Sequence, residues 1–267
     1  MRILVIGRDG QLGQSLREVA AALGVAGWAE LSFIDRETID FTDWASIEKA
    51  VADAKPDVVI NAAAYTAVDA AEDEAELAFQ INAAGPKALA EVLSERGGRL
   101  IHVSTDYVFD GGKATPYVET DAVIPQGVYG KSKAAGEDGV RDALASHAIV
   151  RTAWLYSPSG QNFVKTMLRL ARERDAVRVA ADQWGSPTSA LELARGLIAI
   201  CAAWRDDPTK GLGTTYHFAG GGWTNWAGLA RAVFEASAQV GGPVAEVVDI
   251  ATADWPAKAK RPLNSRL

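Results

Sequence analysis

The sequence predicts a doubly wound α/β fold: a parallel sheet covered by helices on both faces, with a smaller C-terminal α/β portion. Three observations carry this expectation. Short, continuous apolar runs alternate with helix-length segments through the first half of the chain. Three glycines, Gly7, Gly10 and Gly13, follow the first of those runs, and an acidic residue, Asp35, closes the second. Continuous rather than alternating apolar runs mark strands buried on both faces, as in a parallel sheet.

The elements follow in order. "RILVI" (2–6) reads as a strand, followed by a helix from Gln11 to about Leu23. "LSFI" (31–34) precedes a helix near 43–54, and "DVVIN" (57–61) precedes helical stretches across 69–97. "RLIHVS" (99–104) leads through a loop to a helix over 130–145, and "AIVRT" (148–152) is the next strand. After about residue 153 the rhythm changes. "SGQNFVKTMLRLARERD" reads as a helix with Ser159 as its N-cap. "VRVAADQWGSPTS" reads as a short strand and a turn before a helix at 189–204. "GLGTTYHFAGGGWTN" is glycine-rich, a helix spans 225–239, and a short strand precedes a proline-punctuated end. The expected division is 1–153 and 154–267, with room for segments to interleave.

Composition bounds the function. Of 267 residues, 48% are hydrophobic and 23% charged, an ordinary globular balance. A net charge of −7 argues against a nucleic-acid partner, which needs a basic face. The single cysteine, Cys201, sits in an apolar segment and reads as a buried structural thiol in a reducing, cytoplasmic setting. No apolar run approaches the length of a membrane span, so no membrane partner is expected.

Gly7, Gly10 and Gly13 stand at the junction of the first strand and first helix, spaced G-x-x-G-x-x-G. There glycines permit a tight turn, let the backbone approach a pyrophosphate and let the helix pack on the sheet, the mark of a Rossmann-like dinucleotide site. Residues 1–153 are thus the NAD(P)-binding portion. Asp35 can accept the hydroxyls of an adenosine ribose, whereas the adjacent Arg36 suits a 2′-phosphate, so the cofactor is NADPH or NADH. After the third strand, "NAAAYTAVD" has small residues, Asn61 to Ala64, where a cofactor would cross the strand ends.

Ser104, Thr105 and Asp106 close the fourth strand, at the edge where open α/β sheets bind ligands. Tyr129 and Lys133 follow about 25 residues later, four apart and so on one helix face. Such a pair alone is weak, since chance supplies it in roughly one sequence in five; its position after the glycine turn and "STD" gives it weight. This order resembles the extended short-chain dehydrogenase/reductase superfamily. A lysine ammonium would lower the tyrosine pKa, Tyr129 would protonate a carbonyl oxygen as hydride arrives, and Thr105 would hydrogen-bond that oxygen or the tyrosine.

The segments "GRDGQLGQSL", "DVVINAAAYTAVDAAE", "HVSTDYVFDG", "VYGKSKAAGE", "RTAWLY", "NFVKTMLRLA", "DQWGSPTSA" and "RPLNSRL" together resemble the dTDP-4-dehydrorhamnose reductase family. The resemblance implies reduction of the 4-keto group of dTDP-4-dehydro-β-L-rhamnose by NADPH or NADH, with catalysis by Thr105, Tyr129 and Lys133. It places cofactor contacts at Gly10, Gln11, Leu12, Asp35, Asp40, Phe41, Ala64, Tyr65 and Thr66, beside Gly7, Gly13, Arg36 and Ala63 from the residues themselves. Tyr129 and Lys133 are also expected to contact the cofactor, the lysine at the nicotinamide ribose. It places sugar contacts at Val68, Thr105, Asp106, Tyr129 and Trp154, with residues 154–267 mainly binding the sugar nucleotide. Trp154, at the end of a strand, stands at the right edge to face a ligand. Some family members bridge dimers with magnesium through glutamates; here Ser15 and Leu191 stand at those places, with Glu192 displaced by one. The chain stops at Leu267, whereas family members usually continue further. The expectation is accordingly no metal and a monomer or weak homodimer.

Rival readings are a different nucleotide-sugar 4-ketoreductase, an epimerase with retained NAD, and a non-catalytic cofactor-binding regulatory subunit. A dehydratase would need a second acid after Asp106, where Tyr107 stands. The acidic run "AEDEAELA" (71–78) reads as a solvated helix face, Lys131 as solvent-facing, and His102, His147 and His217 as structural.

Overall fold

A computed structural model describes residues 1–254 and 256–267. Strands β1 (Arg2–Ile6), β2 (Glu30–Ile34), β3 (Val58–Asn61), β4 (Arg99–Thr105) and β5 (His147–Thr152) alternate with helices α1 (Gln11–Ala22), α2 (Trp44–Ala54), α3 (Ala75–Phe79), α4 (Gly85–Arg96) and α5 (Val128–Ala143). The chain continues through β6 (Leu155–Tyr156), α6 (Phe163–Leu170), β7 (Ala176–Ala180), β8 (Trp184–Gly185), β9 (Thr188–Ser189), α7 (Ala190–Asp206), β10 (Thr214–His217), β11 (Thr224–Asn225), α8 (Trp226–Gln239) and β12 (Glu246–Ile250). The main sheet has six parallel strands in the order β10-β5-β4-β3-β1-β2. Strand order reverses at β1, between β3 and β2, which opens a crevice at the carboxyl ends of the strands.

Two apolar layers hold this sheet. On one face α1 buries Leu12, Leu16, Val19 and Ala20, a helical stripe, against Leu193, Leu197 and Cys201 of α7 and Val5, Ile60 and Val150 of the sheet. On the other face, Ile47 and Val51 of α2, Leu89 and Leu93 of α4 and Val140 of α5 cover Leu4, Val59 and Leu100. Helix α7 and strand β10 come from beyond residue 153 yet belong to this sandwich, so the two stretches interleave. A smaller lobe packs α6 and α8 on the parallel pair β7 and β12, around Met167, Val177, Val179, Ala227 and Phe234.

Three local expectations change. The N-cap of α6 is Asn162, whose Oδ1 accepts from Lys165 N at 3.0 Å, not Ser159, and the helix ends at Leu170. Ser159 is instead held in a turn in which its own N–H donates to Ser157 Oγ at 3.0 Å. Residues 214–217, inside the glycine-rich stretch, form the sixth strand of the main sheet. Between α3 and α4 the chain makes a π-helical turn, Gln80–Ala84, a deviation that recurs at functional sites.

Candidate active site

The crevice is a cavity of about 1180 Å³ running from the glycine turn to the foot of α8. Gly7 has φ of +101°, and a Cβ there would lie 3.0 Å from the Ala62 carbonyl carbon and the Ala63 nitrogen. A Cβ on Gly13 would lie 2.2 Å from Gly7 O. Side chains at either position would push the turn off β3 or α1 off the turn, so these residues form the cradle a dinucleotide pyrophosphate requires. Gly7, Gly10, Gln11 and Leu12 line the cavity; Gly13 does not, and sets the packing of α1 behind it.

Beyond the glycine turn, Asp35, Arg36, Asp40 and Phe41 line the wall. Asp35 Oδ1 accepts from Glu37 N at 3.0 Å and from Thr38 Oγ1 at 3.4 Å, while Oδ2 pairs with Arg8. Burial raises its pKa, but the Glu37 N–H, Arg8 and Thr38 outweigh this and hold it below the usual carboxylate range. Asp40 closes its own turn, its Oδ1 accepting from Thr42 N and Oγ1 at 2.8 Å. Ala63, Ala64, Tyr65, Thr66 and Val68 follow along the loop after β3. The buried Asn82 of the π-helical turn fixes that loop: its Oδ1 accepts from Tyr65 N at 2.8 Å, and its Nδ2 donates to Tyr65 O and Ser132 Oγ, both at 3.0 Å.

Thr105, Asp106, Tyr129 and Lys133 all line the cavity, at the carboxyl end of β4 and in the first turns of α5. Gly127 is the N-cap of this helix, and Glu72 Oε1 accepts from Val128 N at 2.8 Å. One member of the acidic run thus anchors the helix carrying Tyr129 through an orphan N–H of its first turn. The Tyr129 ring meets Tyr107 edge to face, with centroids 5.6 Å apart. Lys133 is buried and donates from Nζ to Val103 O at 2.7 Å.

The electrostatics depart from the expected pattern. Burial pushes the Tyr129 phenol up to about 12, with the Thr105 hydroxyl pulling down and the Asp106 charge pushing up. Burial also brings the Lys133 ammonium down to about 8, against the pull of Glu137. Tyr129 therefore stays protonated at neutral pH, the state a proton donor needs.

Asp106 is buried, and its Oδ2 has no partner among the described residues. Its Oδ1 accepts from Thr105 Oγ1 at 2.9 Å. Burial pushes its carboxyl up to about 6, with the nearby Ser265 and Thr105 hydroxyls pulling back. Because the folded pKa lies above the unfolded one, ionised Asp106 costs nothing below about pH 4 and its full penalty above about pH 6. Asp106→Asn is expected to stabilise the protein at pH 8 by about 1–3 kcal/mol and by nothing at pH 4. Unfolding midpoints at the two pH values check this; an equal shift at both would contradict it.

Trp154 and Trp226 stand at the far end, stacked with ring centroids 3.5 Å apart. The sequence reading did not single out Asn82, Glu137 or Trp226. Only Glu137 had a local signal, standing one helical turn beyond Lys133. The three histidines lie outside the cavity lining, and burial lowers the pKa of each. Cys201 is buried, which raises its thiol to about 12. Among the described residues no group of three or more His, Cys, Asp or Glu is placed to hold a metal ion, and no helix is long and apolar enough to cross a membrane.

Comparison with known proteins agrees with this geometry. The family described as "RmlD substrate binding domain" matches residues 1–267. The dTDP-4-dehydrorhamnose reductase of Sinorhizobium fredii is 41% identical over 267 residues, covering 100% of this chain and 88% of that one. The crystal structure of a dTDP-4-dehydrorhamnose reductase from Clostridium acetobutylicum superposes with a TM-score of 0.90 at 38% identity, over 100% of this chain and 90% of that one. The Bacillus anthracis dTDP-4-dehydrorhamnose reductase, solved in complex with NADP, gives a TM-score of 0.90 at 35% identity, over 99% of this chain and 89% of that one. With the family matched over residues 1–267 and a curated reductase 41% identical across the whole chain, this protein is a member of the dTDP-4-dehydrorhamnose reductase family.

Proposed function

We propose that this chain catalyses NAD(P)H-dependent reduction of the 4-keto group of dTDP-4-dehydro-β-L-rhamnose to dTDP-L-rhamnose, the last step of dTDP-rhamnose biosynthesis. The observation that carries the reading is that Thr105, Tyr129 and Lys133 all line the cavity that begins at the Gly7–Gly10 turn. Gly7, Gly10, Gln11 and Leu12 would hold the pyrophosphate of the dinucleotide, and Asp35, Arg36, Asp40 and Phe41 its adenosine end. Ala63 to Thr66 would pass beneath it. When bound, NADPH or NADH supplies the hydride.

Tyr129 gives its phenolic proton to the 4-keto oxygen, so that the carbonyl becomes a hydroxyl. Thr105 turns its hydroxyl hydrogen from Asp106 to that oxygen, holding it and setting the angle of approach. Lys133 would favour the phenolate left behind and reach the nicotinamide ribose. Val68, Asp106 and Trp154 shape the sugar end. In this reading the enzyme is cytoplasmic and works as a monomer or weak homodimer.

The test mixes purified protein with the 4-keto-L-sugar nucleotide and NADPH or NADH and follows nicotinamide absorbance. Stoichiometric loss is expected; no loss with either cofactor would overturn the reading. NAD that stays tightly bound through purification would point to an epimerase instead.

A further inference from the structure

Trp154 has a φ of +46°, a left-handed conformation that a bulky side chain adopts only when its surroundings impose it. Its indole lies flat on that of Trp226, the planes within 6° of parallel. Gly185 abuts the same ring: a Cβ there would lie 2.2 Å from Trp154 Cε2. Trp226 is the first residue of α8 and is backed in turn by Phe163, with centroids 4.6 Å apart. Beside Phe163, Asn162 Nδ2 donates to Gln11 Oε1 at 2.9 Å, which ties this aromatic block to the glycine turn. Both tryptophans line the cavity.

We infer that Trp226 is the positioning residue of the sugar subsite: its ring holds Trp154 in the left-handed conformation and so fixes the surface that Trp154 offers to the sugar. The inference rests on the proposed reductase reading. Because Trp226 covers one face of the Trp154 indole, a sugar ring must meet the other face or the edge. A stacked aromatic pair contributes enough to shift an equilibrium by about three- to tenfold. The loss of Trp226 should therefore fall on sugar binding and spare the proton-transfer site at Tyr129.

The test compares the full-length wild type with Trp226→Ala and Trp226→Phe. Calorimetry measures binding of dTDP-L-rhamnose and of NADPH, and circular dichroism follows the exciton couplet of the two stacked indoles. Trp226→Ala is expected to lose the couplet, weaken dTDP-L-rhamnose binding and raise the KM of the keto sugar by about three- to tenfold. Its kcat and its NADPH affinity should stay within about twofold of wild type. Trp226→Phe, which keeps a stacked ring, should recover most of the sugar affinity while still lacking the couplet. Unchanged sugar affinity in Trp226→Ala would overturn the inference, as would equal weakening of NADPH or a Phe variant no better than Ala. A wild type that does not bind dTDP-L-rhamnose at all would instead refute the reductase reading on which the inference stands.

Discussion

Tyr129→Phe is expected to lower kcat by about 10²- to 10⁴-fold, the usual contribution of a positioned proton donor. The substitution removes one hydroxyl and keeps the ring, so the edge-to-face contact with Tyr107 survives and the first turn of α5 stays in place. Binding of NADPH and of dTDP-L-rhamnose should change little, because the lost interaction is one made as the carbonyl oxygen gains charge. Single-turnover kinetics against calorimetric affinities separates the two effects. The pKa shifts add a further expectation. With the phenol near 12 and the Lys133 ammonium near 8, the wild-type rate should fall on the alkaline side as Lys133 loses its proton, well before Tyr129 ionises. A Tyr129→Phe rate within a few-fold of wild type would remove the phenol from the mechanism and leave Thr105 or a solvent molecule as the proton source.

The legible part of the structure was the part set by local pattern. Runs such as "VVIN" and "AIVR" announce themselves because every residue in them is buried from both faces. Strand β10 hid because it is four residues long, half-buried and at the sheet edge, so it shows neither a continuous apolar run nor an alternation. Ser159 and Asn162 are both good caps three residues apart; only the turn closed by Ser157 decides between them. In the site, the four-residue spacing correctly puts Tyr129 and Lys133 on one helix face. The state of each proton was not legible, since it depends first on burial in the folded protein and then on Glu137 for Lys133 and on Thr105 and Asp106 for Tyr129. Trp226 was one of 8 tryptophans, and its stacking on Trp154 arises from how the small lobe docks, which no local window contains.

Glu137→Ala is expected to cost about 3–5 kcal/mol of stability, the toll of breaking a buried ion pair from one side. Glu137 is fully buried, and its two oxygens accept four hydrogen bonds. Ser104 Oγ at 2.6 Å and Arg151 Nε at 2.9 Å reach Oε1; Arg151 Nη2 at 2.7 Å and Arg141 Nη2 at 2.8 Å reach Oε2. Without the carboxylate, the Arg151 guanidinium, only 2% exposed, is left charged in the core. Burial pushes the Glu137 pKa up, but Arg151, Ser104 and Arg141 together outweigh it and hold the carboxyl below its ordinary 4.5. Its stabilisation is thus present above about pH 4.5 and is lost as pH falls through the lower folded value. Urea unfolding at pH 7 should show the full loss in Glu137→Ala and a smaller one in Glu137→Gln, which keeps the shape without the charge. The deficit should narrow as the wild type is acidified. Pairing Glu137→Leu with Arg151→Met should recover most of the loss, because two apolar groups leave no orphaned charge. A double variant as unstable as Glu137→Ala would show that packing rather than charge pairing dominates here. Ser104 and Val103 are adjacent on β4, and they bind Glu137 and Lys133 from successive turns of α5. The same ion pair therefore sets how closely the helix of Tyr129 approaches the strand of Thr105, and Glu137→Gln should lower the Lys133 pKa further and move the alkaline fall in rate toward neutral pH.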